Sequence, residues 1–187
     1  MKKLSVILIC LISTFSGFSQ EEISGVTPPS TLKAGNKTLA FNGAGLREKF
    51  FLDLYVGTLY LASKSNSAKE VMESDQAMSI TLDIVSGLIS SEKMTTAIDE
   101  GMEKSTDGNT AHFAKKIQQF KDAFKEEITK GDHYEITYFP ETGTVVSKNG
   151  KKLTTIPGHD FKVALFGIWF CDEPADEDLM EGMLGLD

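Results

Sequence analysis

Residues 133–156, HYEITYFPETGTVVSKNGKKLTTI, hold three strand-like runs separated by two very short turns. Asn149-Gly150 is the strongest short hairpin signal in the chain, because both central residues of a tight two-residue turn need positive φ. Glu141-Thr142-Gly143 marks the other turn. A parallel pair needs a crossover of about a dozen residues or more, so connections this short force antiparallel pairing. Whatever else the chain does, it builds at least part of an antiparallel sheet.

Upstream, TLKAGNKTLAFNG carries two short runs around Gly35-Asn36 and reads as a further hairpin. AMSITLDIV alternates Met78, Ile80, Leu82 and Ile84 with Ser79, Thr81 and Asp83, which predicts a strand with one wet face. Residues 65–76 predict a short helix, with Ser67 and Glu70 in capping-box spacing. Two longer helices are expected at about 91–104 and 110–130. In the second, Phe113, Ile117, Phe120, Phe124 and Ile128 form one apolar stripe at steps of three and four, the mark of core packing. After the late hairpins come DFKVALFGIWF, a turn at Asp172–Pro174, and DEDLMEGMLG behind an acidic cap, both helical. Hairpins alternating with grouped helices predict an α+β domain, a large antiparallel sheet covered by a helical layer.

The first residues have a separate role. MKKLSVILICLISTFSGFSQ begins with Lys2 and Lys3, continues with an apolar run from Leu4 to Ile12, and then turns to small residues. Gly17 and Ser19 stand three and one before a cut ahead of Gln20, which makes residues 1–19 a signal peptide. The run is shorter than the roughly 20 residues of a membrane span. Residues 20–30, polar with paired prolines, are then a flexible lead-in, and residues 31–187 the folded domain. A periplasmic or secreted protein without stable membrane insertion is expected. The net charge is −8, or −10 without Lys2 and Lys3, and there is no basic run, which argues against nucleic acid and anionic headgroups as partners. With Cys10 removed, Cys171 stands alone among the apolar residues of "WFC" and reads as a buried, inert thiol.

GAGLREKFFLDLYVGTLYL, residues 43–61, reads as one long strand. Its even set from Phe50 to Tyr60 is nearly all apolar and is expected to meet the helices. The odd set, with Arg47, Asp53, Tyr55 and Gly57, then faces water or a partly wet cleft. A guanidinium, a phenol and aromatic bodies on one face suit a molecule with a greasy body and an acidic end. The plainer alternative makes Arg47 a surface residue and Tyr55 a packing residue. In a straight strand the two lie roughly 26 Å apart, so only a bend, bulge or hairpin joins them at one ligand.

His112, His133 and His159 have no ligand spacing, so no metal or other cofactor is implied. Ser90 and Lys93 read as a helix start rather than a catalytic pair.

The blocks GAGLR, YVGTLYL, SEKMTTA, VALFGIWFCDEP and LMEGMLG, in this order over about residues 37–185, resemble the chalcone isomerase-like family. That resemblance implies an open-faced β-sandwich. In the plant enzymes it implies cyclisation of chalcones, with an arginine and hydroxyl groups stabilising an enolate. Carried over by position, the arginine falls on Arg47. The strand threonine falls on Tyr55, as in the fatty-acid-binding members. The catalytic tyrosine falls on Ser90, the helix asparagine on Ala97, and the late hydroxyl on Ala164. Losing one oxyanion donor costs about a hundredfold or more, and several are missing here. The leading expectation is therefore a non-catalytic carrier or sensor of a small amphipathic molecule such as a fatty acid, bound by Arg47 and Tyr55. An isomerase or lyase acting on another substrate, with Asp53 as its acid or base, is the second. A ligand-free module of the cell envelope is the third.

Overall fold

The computed structural model describes residues 21–186. The expected signal peptide, residues 1–19, lies outside them. Seven strands form one antiparallel sheet in strict chain order: β1 (Thr31–Ala34), β2 (Lys37–Lys49), β3 (Leu52–Leu61), β4 (Met78–Ile84), β5 (His133–Phe139), β6 (Gly143–Lys148) and β7 (Lys151–Ile156). Helices fill the longer connections: α1 (Ala68–Glu73) between β3 and β4, and α2 (Ser91–Ser105) and α3 (Ala114–Asp122) between β4 and β5. α4 (His159–Phe170) and α5 (Glu177–Leu184) follow the last strand. The sheet curls and helices cover one face, the α+β arrangement that the sequence pattern predicts and the open-faced sandwich that the resemblance implies.

Both late hairpins form as expected. Asn149 and Gly150 take φ of 51° and 77°, the positive pair that this tight turn demands. The long strand expected over 43–61 is instead two. Phe50 and Phe51, at φ 53° and 62°, reverse the chain, and β2 pairs with β3. Left-handed backbone costs a non-glycine residue roughly 1–2 kcal/mol, so no propensity in this stretch announces the turn.

The facing of that stretch is also the reverse of the expectation. Tyr55, Leu59 and Leu61 lie in the main core with the helices, whereas Tyr60 joins Ala34, Leu39 and Ala77 in a second cluster on the other face. The odd positions look less apolar because glycines make room for a helix there. A Cβ on Gly43 would lie 2.2 Å from the Gly182 carbonyl oxygen, and one on Gly45 would lie 2.9 Å from Leu179 Cα. Gly57 faces the Leu179 side chain in the same way. These three positions seat α5 directly on the β2–β3 hairpin.

The wet face expected of β4 is covered too. Ser79 and Thr81 are buried, and Ser79 Oγ lies 2.8 Å from Thr137 Oγ1. The alternation there marks two different buried layers rather than inside and outside. From the lead-in, the Pro29 carbonyl accepts from the Tyr60 hydroxyl at 3.1 Å, and Ser24 Oγ donates to Asp53 at 2.5 Å.

The apolar stripe of the second long helix packs into the core as expected, fully buried except for the half-buried Phe113, but its helical extent is shorter. A 3-10 turn, Thr110–Phe113, precedes α3, and the helix stops at Asp122, where Ala123 and Phe124 bond to carbonyls three residues back. Phe124 and Ile128 still enter the core from the following turns, Phe124 stacking on Tyr134 at 4.7 Å. Burial of those two side chains outweighs a further helical turn, and the chain is thereby returned to the start of β5.

α4 is buried on nearly every side, between sheet and outer helices. Its one buried charge, Lys162, donates to the carbonyls of Val71, Met72 and Ser74 at 2.7–2.8 Å and so caps the end of α1. Cys171, expected to be buried, is half-exposed because it terminates α4.

Candidate functional site

The Phe50-Phe51 turn has a consequence for chemistry. It folds β2 back on β3 so that Arg47 and Tyr55, eight residues apart in the chain, become direct cross-strand partners. Both project onto the helix-covered face and line one cavity of about 850 Å³. Its floor is sheet: Tyr55, Leu82 and Ile136. Its walls are Met94, Ala97, Ile98 and Gly101 of α2, Phe120 and Phe124 from the α3 region, and Ile168 and Trp169 of α4. Lys49, Phe50 and Leu52 of the hairpin and Leu88 of the loop before α2 also line it, with Glu92, Lys93, Glu100 and Lys104 of α2 as further charges. A largely apolar cavity with a few polar groups is the usual build of a small-molecule site.

The polar groups are held by elements remote in sequence. Arg47 Nη1 donates to Asp176 Oδ2 at 2.8 Å and to the Glu48 carbonyl at 2.7 Å. Asp176 is in turn the N-cap of α5, accepting from the Leu179 N–H at 3.0 Å. The other guanidinium N–H groups make no hydrogen bond to a described residue and remain available to an anion. Tyr55 Oη accepts from Trp169 Nε1 at 3.1 Å. Burial pushes the Tyr55 pKa up, more than the Trp169 bond and the Arg47 charge pull it down. The phenol is therefore neutral near pH 7 and offers its own O–H as a donor. It is no base.

Trp169 and Asp176 are the polar partners that sequence reasoning misses. They lie 114 and 129 residues from Tyr55 and Arg47, a separation that no local pattern spans. Asp176 is visible in the sequence only as an acidic helix cap. Ser90 and Ala97 also line the cavity, and Ser90 caps α2 by accepting from the Lys93 N–H at 3.2 Å. Ala164 is not among the lining residues; its carbonyl accepts from Ser105 Oγ. Asp53, the acid or base considered above, is exposed and bonded to Ser24, away from the cavity. Among the described residues no three His, Cys, Asp or Glu side chains group as a metal site, and no helix is long and apolar enough to cross a membrane.

Of the five positions compared by sequence, Arg47, Tyr55, Ser90 and Ala97 line one cavity and Ala164 does not. The family described as chalcone isomerase-like matches residues 20–185. The chain belongs to the chalcone isomerase-like family. Among solved structures, a fatty-acid-binding protein of Arabidopsis thaliana is similar, with a TM-score of 0.68 and 20% identity. The match covers 86% of this chain and 92% of that one. At this identity the likeness establishes the shared fold. Among curated proteins, none matches the chain.

Proposed function

We propose that this chalcone isomerase-like protein binds a small amphipathic anion, a fatty acid foremost, and does not catalyse its conversion. The carboxylate sits between Arg47 and Tyr55, and the tail lies along the apolar walls from α2 and α4. The observation that carries this reading is the cross-strand pairing of Arg47 with Tyr55 at a largely apolar cavity of about 850 Å³. A neutral phenol and a guanidinium with spare N–H groups give a carboxylate two kinds of donor, the stronger of them charge-assisted. The fatty-acid-binding function of the Arabidopsis structure supports the choice of ligand.

Native mass spectrometry of the purified protein, with fatty-acid titration of wild type and Arg47→Ala, tests the reading. Affinity should fall about tenfold or more on losing a charge-assisted bond. Equal affinity in the two proteins would remove Arg47 from the site. Chalcone cyclisation should proceed no faster than in buffer, since Ser90 is too short and Ala97 and Ala164 have no side-chain donor. Measurable turnover would overturn the non-catalytic assignment. The amino-terminal pattern supports export, and fractionation with N-terminal sequencing should find mature protein beginning at Gln20 outside the cytoplasm.

A further inference from the structure

We propose that the tip of the β2–β3 hairpin docks the protein on a lipid surface, which brings the cavity mouth to the phase where amphipathic ligands reside. The inference extends the ligand reading above and rests on a separate feature. Phe50 and Phe51 are 82% and 99% exposed, and Leu52, next in the chain, and Leu88, in the loop before α2, are about half exposed. Phe50, Leu52 and Leu88 also line the cavity, so the apolar patch and the mouth are continuous.

The turn itself argues that this exposure has a use. The same chain solves an equivalent problem with Asn149-Gly150, residues that take positive φ easily and favour water. At residues 50 and 51 it places two phenylalanines in the same strained backbone region and shows both to solvent. Neither local strain nor solubility favours that choice.

A lipid surface fits the patch better than a second protein. Two aromatic side chains bury roughly 150–250 Å² each, and with two half-exposed leucines the patch stays below the roughly 800 Å² per partner of a stable protein interface. A bilayer imposes no such minimum, and each inserted side chain adds directly to partitioning. Lysines stand where headgroups would be: Lys49 Nζ lies 5.9 Å from the Phe50 ring, and Lys93 Nζ donates to the Leu88 carbonyl at 2.9 Å. Glu48 and Glu92 next to them offset those charges, and the chain as a whole is acidic. Attachment therefore comes from apolar insertion rather than from charge.

The test is flotation with phosphatidylcholine vesicles at low and high salt. It uses the chain without residues 1–19, which retains every described element, and its Phe51→Gly variant. Glycine suits the turn, so the variant's thermal midpoint should hold or rise. Because Phe51 does not line the cavity, fatty-acid affinity in solution should be unchanged. Wild type should float at both salt concentrations, and Phe51→Gly should partition at least about tenfold less. A wild type that stays in solution, or a variant that floats equally well, overturns the docking. Flotation abolished by salt overturns its apolar basis. A concentration-dependent dimer that Phe51→Gly dissolves, without flotation, gives the tip to a second copy instead. If fatty-acid titration fails while flotation persists, the ligand reading falls and the docking stands.

Discussion

Arg47 Nη1 and Asp176 Oδ2 form a 2.8 Å ion pair in which both side chains are largely shielded from solvent. The pair joins the cavity to the start of α5, because Asp176 also caps that helix. Asp176 and an incoming carboxylate therefore draw on one guanidinium. Replacing Asp176 by Asn keeps a capping oxygen and removes the competing charge. Stability should fall by about 1–2 kcal/mol, and fatty-acid affinity should rise severalfold. Asp176→Ala should cost a further ~1 kcal/mol through the lost cap. Denaturant unfolding and ligand titration read the two effects separately. Unchanged affinity in Asp176→Asn would mean that Arg47 serves only to hold α5.

Trp169 is the one tryptophan in the chain, and it donates to the Tyr55 hydroxyl within the cavity lining. Its fluorescence should therefore report ligand directly. Saturation with a long-chain fatty acid should shift and intensify the emission as water leaves the cavity. In Tyr55→Phe the indole N–H loses its acceptor, so the unliganded spectrum should change and affinity should drop about three- to tenfold. An emission spectrum indifferent to ligand would show that nothing enters beside Trp169.

The late hairpins are legible in sequence because their information is local: Asn149-Gly150 fixes its own φ and the registers on either side. The helical stripe and the acidic cap of α5 are legible for the same reason. The Arg47–Tyr55 pairing is hidden because its turn is made by Phe50-Phe51, residues that read as strand. Parity misleads at Gly43, Gly45 and Gly57, where the missing side chains signal a helix lying on the sheet rather than a face open to water. Ser79 misleads similarly, since a small polar residue with a cross-strand partner is tolerated in a buried layer. The Asp176 and Trp169 contacts are purely tertiary. They depend on where α4 and α5 come to rest, which no spacing within a strand specifies.

The glycines before Arg47 have a measurable role. A Cβ at Gly43 meets the α5 backbone at 2.2 Å, and backbone cannot rotate aside as a side chain does. Gly43→Ala should force α5 off the hairpin and cost about 1–3 kcal/mol as overpacking. Gly87, where a Cβ meets nothing within 4 Å, is the control, and Gly87→Ala should change stability by less than about 0.5 kcal/mol. If Gly43→Ala unfolds at the same denaturant concentration as wild type, α5 does not need those glycines.

His133 gives the protein a pH dependence away from the cavity. Its Nδ1 lies 2.7 Å from Asp83 Oδ1 and its Nε2 lies 3.7 Å from Glu135 Oε1. Hydrogen bonds to Asp83 and then Glu135 raise its pKa to about 9, against the opposing effect of burial. A raised folded-state value means that the charged imidazole stabilises the native protein. That contribution is complete below the unfolded pKa of about 6.5 and is lost as pH climbs through about 9. Since a third of the side chain is exposed, screening reduces it to about 1 kcal/mol. Lys162, lowered by burial to about 8, acts with the opposite sign from there upward, so the raw stability curve mixes the two. The difference between wild type and His133→Gln separates them. It should shrink by about 1 kcal/mol between pH 6.5 and 9 in denaturant titrations, and a difference constant across that range would mean His133 is not paired as described.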